Sequence, residues 1–153
     1  MKLVVMKATP AAIAVLKQAT AISPKREKAS DGLLPSRAHI KQNPNSDHNL
    51  GLAADLTHDP KNGIDCCEIY EKLKQDRRVA YLIFQGKIFS NTMGERKYTG
   101  SNPHNKHLHI SIFSSKSNDV RPWFPWLGKP KSINKIKAKL SRAKKKKPSP
   151  KED

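Results

Sequence analysis

The sequence predicts an α+β fold, with a small and mostly antiparallel sheet and two or three helices. Its 153 residues are the length of one domain, since domains usually run to about 100–200 residues. Several short segments alternate apolar and polar residues, as half-buried strands do. Helical patterns come early and several strands follow one another late, and this order favours an antiparallel sheet over alternating strand–helix units.

The first helix is expected to begin at Thr9 and Pro10, because threonine is a good N-cap and proline suits the first helical position. Ile13, Leu16 and Ala19 lie on the side that is expected to be buried. Residues 25–47 are rich in Pro, Ser, Asn and Lys and show no periodicity, so they are expected to form a long loop. Loops of that length in a small domain are usually functional or disordered.

Strands and one further helix are expected after this loop. The segments are a strand at 52–57, a helix at 66–77, a hairpin made of 79–84 and 87–90, and a strand at 107–113. In the last strand, Leu108, Ile110 and Ile112 should face the core, because alternate residues of a strand point to the same side.

The chain is strongly basic, with 30 Lys and Arg against 13 Asp and Glu and a net charge of +17. Residues 129–153 hold eleven of the basic residues and only two of the acidic ones. We therefore expect a folded domain at residues 1–128 and a basic, largely disordered tail at 129–153. Such a charge favours polyanionic partners: nucleic acid, anionic lipid or anionic cell-wall polymer.

Sequence features that would place the chain outside the cytoplasm are weak. No stretch approaches the 18 apolar residues of a membrane span, and the apolar run at residues 11–16 is shorter than the core of a secretory signal. Cys66 and Cys67 are adjacent, which excludes a disulfide framework. We expect synthesis in the cytoplasm, without a signal peptide or a transmembrane segment.

Four of the six histidines lie in two short clusters. His107 and His109 project from one face of a strand whose other face is core. Asp55 stands on the polar face of the strand that follows His48, where a buried charge is costly unless it is paired or bound to a metal. Each cluster also has a plainer interpretation: a solvated sheet face for the histidines, and a turn or a lysine partner for Asp55.

Together the two clusters contain the donors of a catalytic zinc site, which has three protein ligands and an open position for water. Structural zinc sites are closed and usually contain cysteine, and Cys66 and Cys67 lack the spacing of a zinc knuckle. Zinc activates water and polarises a carbonyl. The clusters therefore favour hydrolytic chemistry, most naturally on an amide.

These residues resemble the motif of a known family. The motif, a ten-residue stretch followed downstream by His-x-His, consists here of Ser46, His48, Gly51, Ala53, Asp55, His107 and His109. It resembles that of the zinc D-Ala-D-Ala carboxypeptidase and endolysin group, whose core is shared with lysostaphin-type peptidases and the hedgehog domain. Segments 29–32, 46–49, 55–60 and 98–104 further resemble small phage and prophage proteins of this group. The resemblance spans about residues 9–126 and implies a hedgehog-like version of the α+β fold.

The resemblance implies that His48, Asp55 and His109 bind Zn²⁺. Many members of the group carry an acidic general base three residues before the last ligand, where this chain has Lys106. The sequence matches instead the branch with His-x-His, and this resemblance implies that His107 is the catalytic residue that helps to activate water or to stabilise the oxyanion.

Three further residues are candidates for substrate binding or for support of the metal ligands. Ser46 is expected either to hydrogen-bond near the metal or to shape the turn. His104 is expected either to tune the site or to sit in the turn after Pro103. Arg37 suits a substrate carboxylate, because its planar guanidinium matches one, or is a surface charge.

The resemblance implies a zinc metallopeptidase that cleaves amide bonds in peptidoglycan stem peptides, as a carboxypeptidase or an endolysin-type endopeptidase. We expect a monomer of phage or prophage origin, which reaches the wall after holin-type release or from a virion. The tail would bind anionic polymers: wall, lipid or nucleic acid.

Two other functions fit parts of the sequence. Lys106, at the usual position of the base, favours a non-catalytic zinc-containing module of the cell wall or virion. The net charge and the run Asp47, His48, Asn49 favour a metal-dependent nuclease. That fold, however, needs a helix after its histidine hairpin, and here Pro and Trp follow the His-x-His strand.

Overall fold

The computed structural model describes residues 7–35, 40–41 and 45–127. Over these residues, two α-helices and five β-strands confirm the predicted α+β class. The elements are α1 (Pro10–Ile22), β1 (Ala53–Thr57), α2 (Cys66–Leu73), β2 (Val79–Phe84), β3 (Lys87–Ser90), β4 (Gly94–Lys97) and β5 (His107–Ile112). Short 3₁₀ helices cover Asp47–Leu50, Pro60–Asn62, Ser114–Lys116 and Pro125–Leu127. Neither α-helix of this part of the chain is long and apolar enough to cross a membrane.

The five strands form one sheet in the order β1-β5-β2-β3-β4, and all neighbouring strands run antiparallel. β5 comes last in the chain but lies inside the sheet, between β1 and β2. In this register, Asp55 of β1 lies directly opposite His109 of β5. The sheet therefore joins two motifs that are 54 positions apart in the sequence.

α1 begins as predicted, and part of the face predicted to be buried is confirmed, because Ala19 is fully buried and Leu16 packs against the core. The Thr9 side chain accepts a hydrogen bond from the Ala12 amide and caps the helix. Small residues and Val15 are fully buried, whereas Ile13 and Leu16 are only partly buried. The helix packs against β1, and the small side chains of its inner face permit a close approach.

The core lies on one side of the sheet, beneath the two helices and the segment after β5. Its fully buried side chains include Leu56, Tyr70, Leu82, Phe84, Trp123 and Phe124. The inward positions predicted for β5 are confirmed, because Leu108, Ile110 and Ile112 all belong to this core. The opposite face of β1 and β5 is thereby left for polar side chains.

The structure differs from the prediction at two elements. α2 ends at Leu73 rather than at residue 77, because residues 74–78 form turns that bring Arg78 into the interior. Arg78 is 4% exposed, and its guanidinium donates to Asp76 and to three carbonyls of the segment after β5. β4 was not expected, because Gly94–Lys97 is polar and exposed, as an edge strand of a sheet often is.

Two sequence predictions concern other parts of the chain. The basic tail at 129–153, with the domain boundary at 128, lies outside the described residues, and so does Arg37.

Candidate metal centre

The polar face of β1 and β5 carries the residues singled out by the sequence motif. Asp55 faces His109 across the two strands, and Thr57 faces His107. His48 comes from the 3₁₀ helix Asp47–Leu50, which precedes β1.

Gly51 ends this 3₁₀ helix with a φ of 70°, a left-handed conformation that favours glycine. A Cβ on Gly51 would collide with the carbonyl of Lys7. The sharp turn at Gly51 allows the chain to place His48 over the strand that carries Asp55.

His48, Asp55 and His109 converge on one point. Oδ1 of Asp55 lies 3.1 Å from Nε2 of His48 and 3.2 Å from Nδ1 of His109. The three possible ligand atoms lie within 4.8 Å of one another, and the histidines are only 7% and 5% exposed. The structure thus brings together the three residues that the motif implies as metal ligands.

The surroundings of His48 suit a metal ligand. Its Nδ1 lies 3.0 Å from the carbonyl oxygen of Leu33, which can only accept a hydrogen bond. A neutral imidazole carries a single N–H, so Nδ1–H donates to Leu33 and Nε2 turns a lone pair towards the Asp55 carboxylate. Two electron-rich atoms at this distance need either a shared cation between them or a second proton on the ring.

The surroundings of His48 favour a second proton on its ring. Burial lowers the pKa of His48, but the hydrogen bond and the charge of Asp55 outweigh burial, and the Leu33 carbonyl adds to them, so the pKa is raised. A divalent cation would replace this proton and satisfy the same two atoms.

His109 is held in a similar way from its other side. Its Nε2 lies 2.8 Å from the hydroxyl oxygen of Ser111, which leaves Nδ1 directed at Asp55. The ring of Tyr81 stacks on the imidazole, with 5.4 Å between ring centroids. Metal-bound histidines usually donate their second ring N–H to an oxygen. The Leu33 carbonyl is placed for this role at His48, and the Ser111 hydroxyl lies in the corresponding place at His109.

Asp55 supplies the negative charge of the centre. Burial, the largest influence, raises its pKa, but hydrogen bonds from His109 and His48 and their positive charges together hold the pKa well below the usual range. The carboxylate is therefore ionised wherever the protein is folded at moderate pH, as a metal ligand must be.

His107 lies beside the three converging residues but is not one of them. Its Nε2 is 3.7 Å from Oδ2 of Asp55, and the side chain is half-buried. Burial lowers its pKa; the charge of Asp55 opposes this, and those of His109 and His48 add to it. A neutral imidazole next to a metal site can take a proton from water.

His104 belongs to both the turn and the site. Its φ is 61°, and its Nδ1 lies 2.7 Å from the carbonyl oxygen of Asn102. Its ring is 4.9 Å from that of His107 and 5.7 Å from that of His109. Burial first, and then the charges of His109 and His107, lower its pKa to about 4, so it is neutral near pH 7.

Ser46 and Lys106 have other partners. The Ser46 hydroxyl accepts a hydrogen bond from the His48 amide and caps the 3₁₀ helix, which agrees with its role in the turn. Lys106 is exposed, and its carbonyl accepts a hydrogen bond from the His58 amide.

Sequence reasoning missed three groups at this site: the Leu33 carbonyl, Ser111 and Tyr81. Ser111 had a usable signal, because it follows His107 and His109 at the same two-residue spacing. A backbone carbonyl such as that of Leu33 carries no such signal.

A second group of possible ligands, His58, Asp65 and Cys67, fits a metal poorly. Nδ1 of His58 accepts a hydrogen bond from the Cys66 amide, so in the neutral ring the proton is on Nε2 and neither nitrogen has a lone pair to give. Burial, and then Asp65, raise the pKa of Cys67, which disfavours the thiolate that a metal would bind.

No protein-family model, no curated protein and no solved structure matches this chain at a significant level.

Proposed function

We propose that this protein is a zinc-dependent hydrolase that cleaves amide bonds in peptidoglycan stem peptides. The observation that carries the proposal is the convergence of His48, Asp55 and His109, with the outer nitrogen of each histidine fixed by an oxygen. Two imidazoles and one carboxylate are a common protein set of catalytic zinc, which keeps a further position open.

The chemistry follows from the groups around that position. A bound Zn²⁺ would supply Lewis acidity, which makes water acidic and polarises a substrate carbonyl. His107, neutral because burial and its neighbours lower its pKa, would accept the proton of the attacking water and return it to the leaving amine. His104, also neutral near pH 7, borders this position and adds no competing positive charge.

The choice of substrate rests on the resemblance. The motif runs through His48, Asp55 and His109 in the order found in the zinc D-Ala-D-Ala carboxypeptidase and endolysin group. The antiparallel sheet is compatible with the core that this group shares with lysostaphin-type peptidases and the hedgehog domain. A phage or prophage origin, release through a holin or from a virion, and attachment of the basic tail to anionic wall polymers belong to the same proposal.

Elemental analysis of the purified protein, combined with digestion of purified peptidoglycan and mass spectrometry of the products, tests the proposal. We expect stoichiometric zinc and new amino or carboxyl ends within the stem peptides, which would also identify the bond that is cut. A protein without metal even after zinc is added back would overturn the proposal. Plasmid DNA incubated under the same conditions serves as the control for nuclease activity.

A second function is favoured by one observation. Lys106 occupies the position of the acidic base of related peptidases and is exposed, as a residue without a catalytic role can be. A non-catalytic zinc-containing module of the cell wall or virion would bind zinc and peptidoglycan without releasing products.

A further inference from the structure

The segment of residues 26–33 lies along the outer edge of β1, and we call it the β1-edge segment. It contacts Asp55 and Thr57 of β1, and Asp59, which follows the strand. The Asp59 carboxylate accepts a hydrogen bond from the Glu27 amide at 2.9 Å, and the Thr57 hydroxyl accepts one from the Ser30 amide at 3.0 Å. Gly32 and Asp55 exchange two backbone hydrogen bonds, at 3.1 and 2.8 Å. A stretch without any periodic pattern is thus fixed to the strand that carries Asp55.

A buried ion pair anchors this segment. Arg26 is 5% exposed, and its guanidinium donates to both carboxylate oxygens of Asp31, at 3.0 and 2.6 Å. Oδ1 of Asp31 also accepts hydrogen bonds from the amide and the hydroxyl of Thr57, at 3.1 and 2.7 Å. Arg26 also donates to the Thr20 hydroxyl and the Leu16 carbonyl of α1. Asp31 is therefore held on one side by α1 through Arg26 and on the other by β1 through Thr57.

The two residues that follow Asp31 contact two of the three candidate metal ligands. A Cβ on Gly32 would lie 3.3 Å from Oδ2 of Asp55, so the absence of a side chain at this position leaves room for the carboxylate. The carbonyl of Leu33 then accepts the Nδ1 proton of His48, which turns Nε2 of that ring towards Asp55.

We propose that the β1-edge segment is the positioning element of the metal centre. Asp31 fixes its place, Gly32 admits the Asp55 carboxylate, and Leu33 selects the tautomer of His48. This inference rests on the proposed function, because it assigns a role towards a metal. Outer partners of metal ligands contribute about 10–100-fold to metal affinity in other proteins, and we expect the same of this segment.

Gly32→Ala is the first test. Gly32 lies outside the left-handed region, so alanine fits its backbone, and the three atoms nearest to the added methyl all belong to Asp55. We expect the affinity for zinc, measured by competition with a chromophoric chelator, to fall about 10–100-fold. The visible spectrum of the cobalt-loaded protein should change in band position or intensity, and the melting temperature of the metal-free protein should stay close to wild type. An unchanged affinity with an unchanged cobalt spectrum would overturn the proposal.

A pair of matched variants separates positioning from stability. Asp31 and Asp76 each bind a buried arginine, at 2.6 and 2.7 Å, with carboxylate side chains that are 15% and 18% exposed. Asp31→Ala and Asp76→Ala should therefore both lower the melting temperature of the metal-free protein. Only Asp31→Ala should weaken zinc binding and alter the cobalt spectrum, and equal affinities in the two variants would contradict the role of Asp31.

The binding and digestion experiments distinguish a wrong positioning role from a wrong proposed function. Wild-type protein that binds neither zinc nor cobalt would overturn both. Wild-type protein that binds zinc but releases no products from peptidoglycan would reject the hydrolase alone, and the variants would still decide the role of the β1-edge segment. Wild-type binding that Gly32→Ala and Asp31→Ala leave unchanged would reject the positioning role alone.

Discussion

His48 is the one candidate ligand that comes from outside the sheet, so its removal should separate metal binding from folding. His48→Ala deletes one of the three donors, and we expect zinc to fall from stoichiometric to background levels while circular dichroism stays close to wild type. His58→Ala is the control, because His58 bonds to the Cys66 amide away from the centre. Undiminished zinc in His48→Ala would refute the ligand assignment.

His107 should be required for turnover but not for zinc binding. The base must be neutral to accept a proton, and burial, followed by His109 and His48 against the opposing charge of Asp55, lowers its pKa. The kcat/KM of the zinc-loaded protein should therefore rise with pH, with the midpoint of the rise below about pH 6.5, the ordinary value for histidine. His107→Ala should keep zinc and lose turnover, and a wild-type rate would assign the base to another residue.

His104 should make the metal-free protein less stable in acid. Its pKa is about 4 in the folded state and about 6.5 in an unfolded chain, so the unfolded state binds more protons between these values and stability rises with pH there. His104→Asn removes this titration, and asparagine tolerates the left-handed backbone. Urea unfolding should show wild type losing more stability than the variant between neutral pH and pH 5, and parallel losses would contradict the lowered pKa.

At the residue scale, the sequence predicts the side chains of the centre better than their surroundings. His48, Asp55 and His109 can be predicted from the motif spacing and the alternation of β5, because side-chain identity and strand periodicity can both be read from the amino-acid sequence. The Leu33 carbonyl is a backbone group, and its position depends on the Arg26–Asp31 pair in a segment that lacks any periodic pattern.

At the scale of single elements, the 3₁₀ helix Asp47–Leu50 depends on Gly51. Gly51→Ala would combine a left-handed φ of 70° with a collision against the Lys7 carbonyl. We expect a loss of more than about 1 kcal/mol of stability, since a left-handed alanine alone costs roughly 1–2 kcal/mol, together with weaker zinc binding.

Gly63→Ala is the matched control for this change. Gly63 has a φ of 87° but nothing within 4 Å of the position of a Cβ, so alanine there adds backbone strain without a collision. Thermal unfolding should show a smaller loss for Gly63→Ala and unaltered zinc binding. Equal losses of stability in the two variants would mean that the collision with the Lys7 carbonyl does not contribute to the loss in Gly51→Ala.

Elements were predictable where burial imposes a period. The side chains of β5 point alternately to the core and to the candidate metal centre, and the Thr9 cap with Pro10 marks the start of α1. β4 lies at an edge and has little to bury, so its four residues carry no period. The buried face of α1 was predicted only in part, because close packing on β1 favours alanine over larger residues such as Ile13, a tertiary effect that helical spacing does not reveal.

At the scale of the whole molecule, zinc should stabilise the fold, because the three donors come together only in the folded sheet. A ligand that binds only the folded state adds about 2.7 kcal/mol when its free concentration is roughly 100 times its Kd. Differential scanning fluorimetry should show the melting temperature rising with zinc in wild type and staying constant in His109→Ala. A constant melting temperature in wild type would contradict the metal centre.

The place of β5 in the sheet also bears on how the protein is made. β5 leaves the ribosome after all the other strands, yet β1 joins the sheet only through it. A nascent chain that has been translated through β4 already contains His48 and Asp55 but still lacks β5, which carries His107 and His109. For a hydrolase of the kind proposed, incomplete translation products would therefore be inert, and activity would begin only when the last strand is inserted.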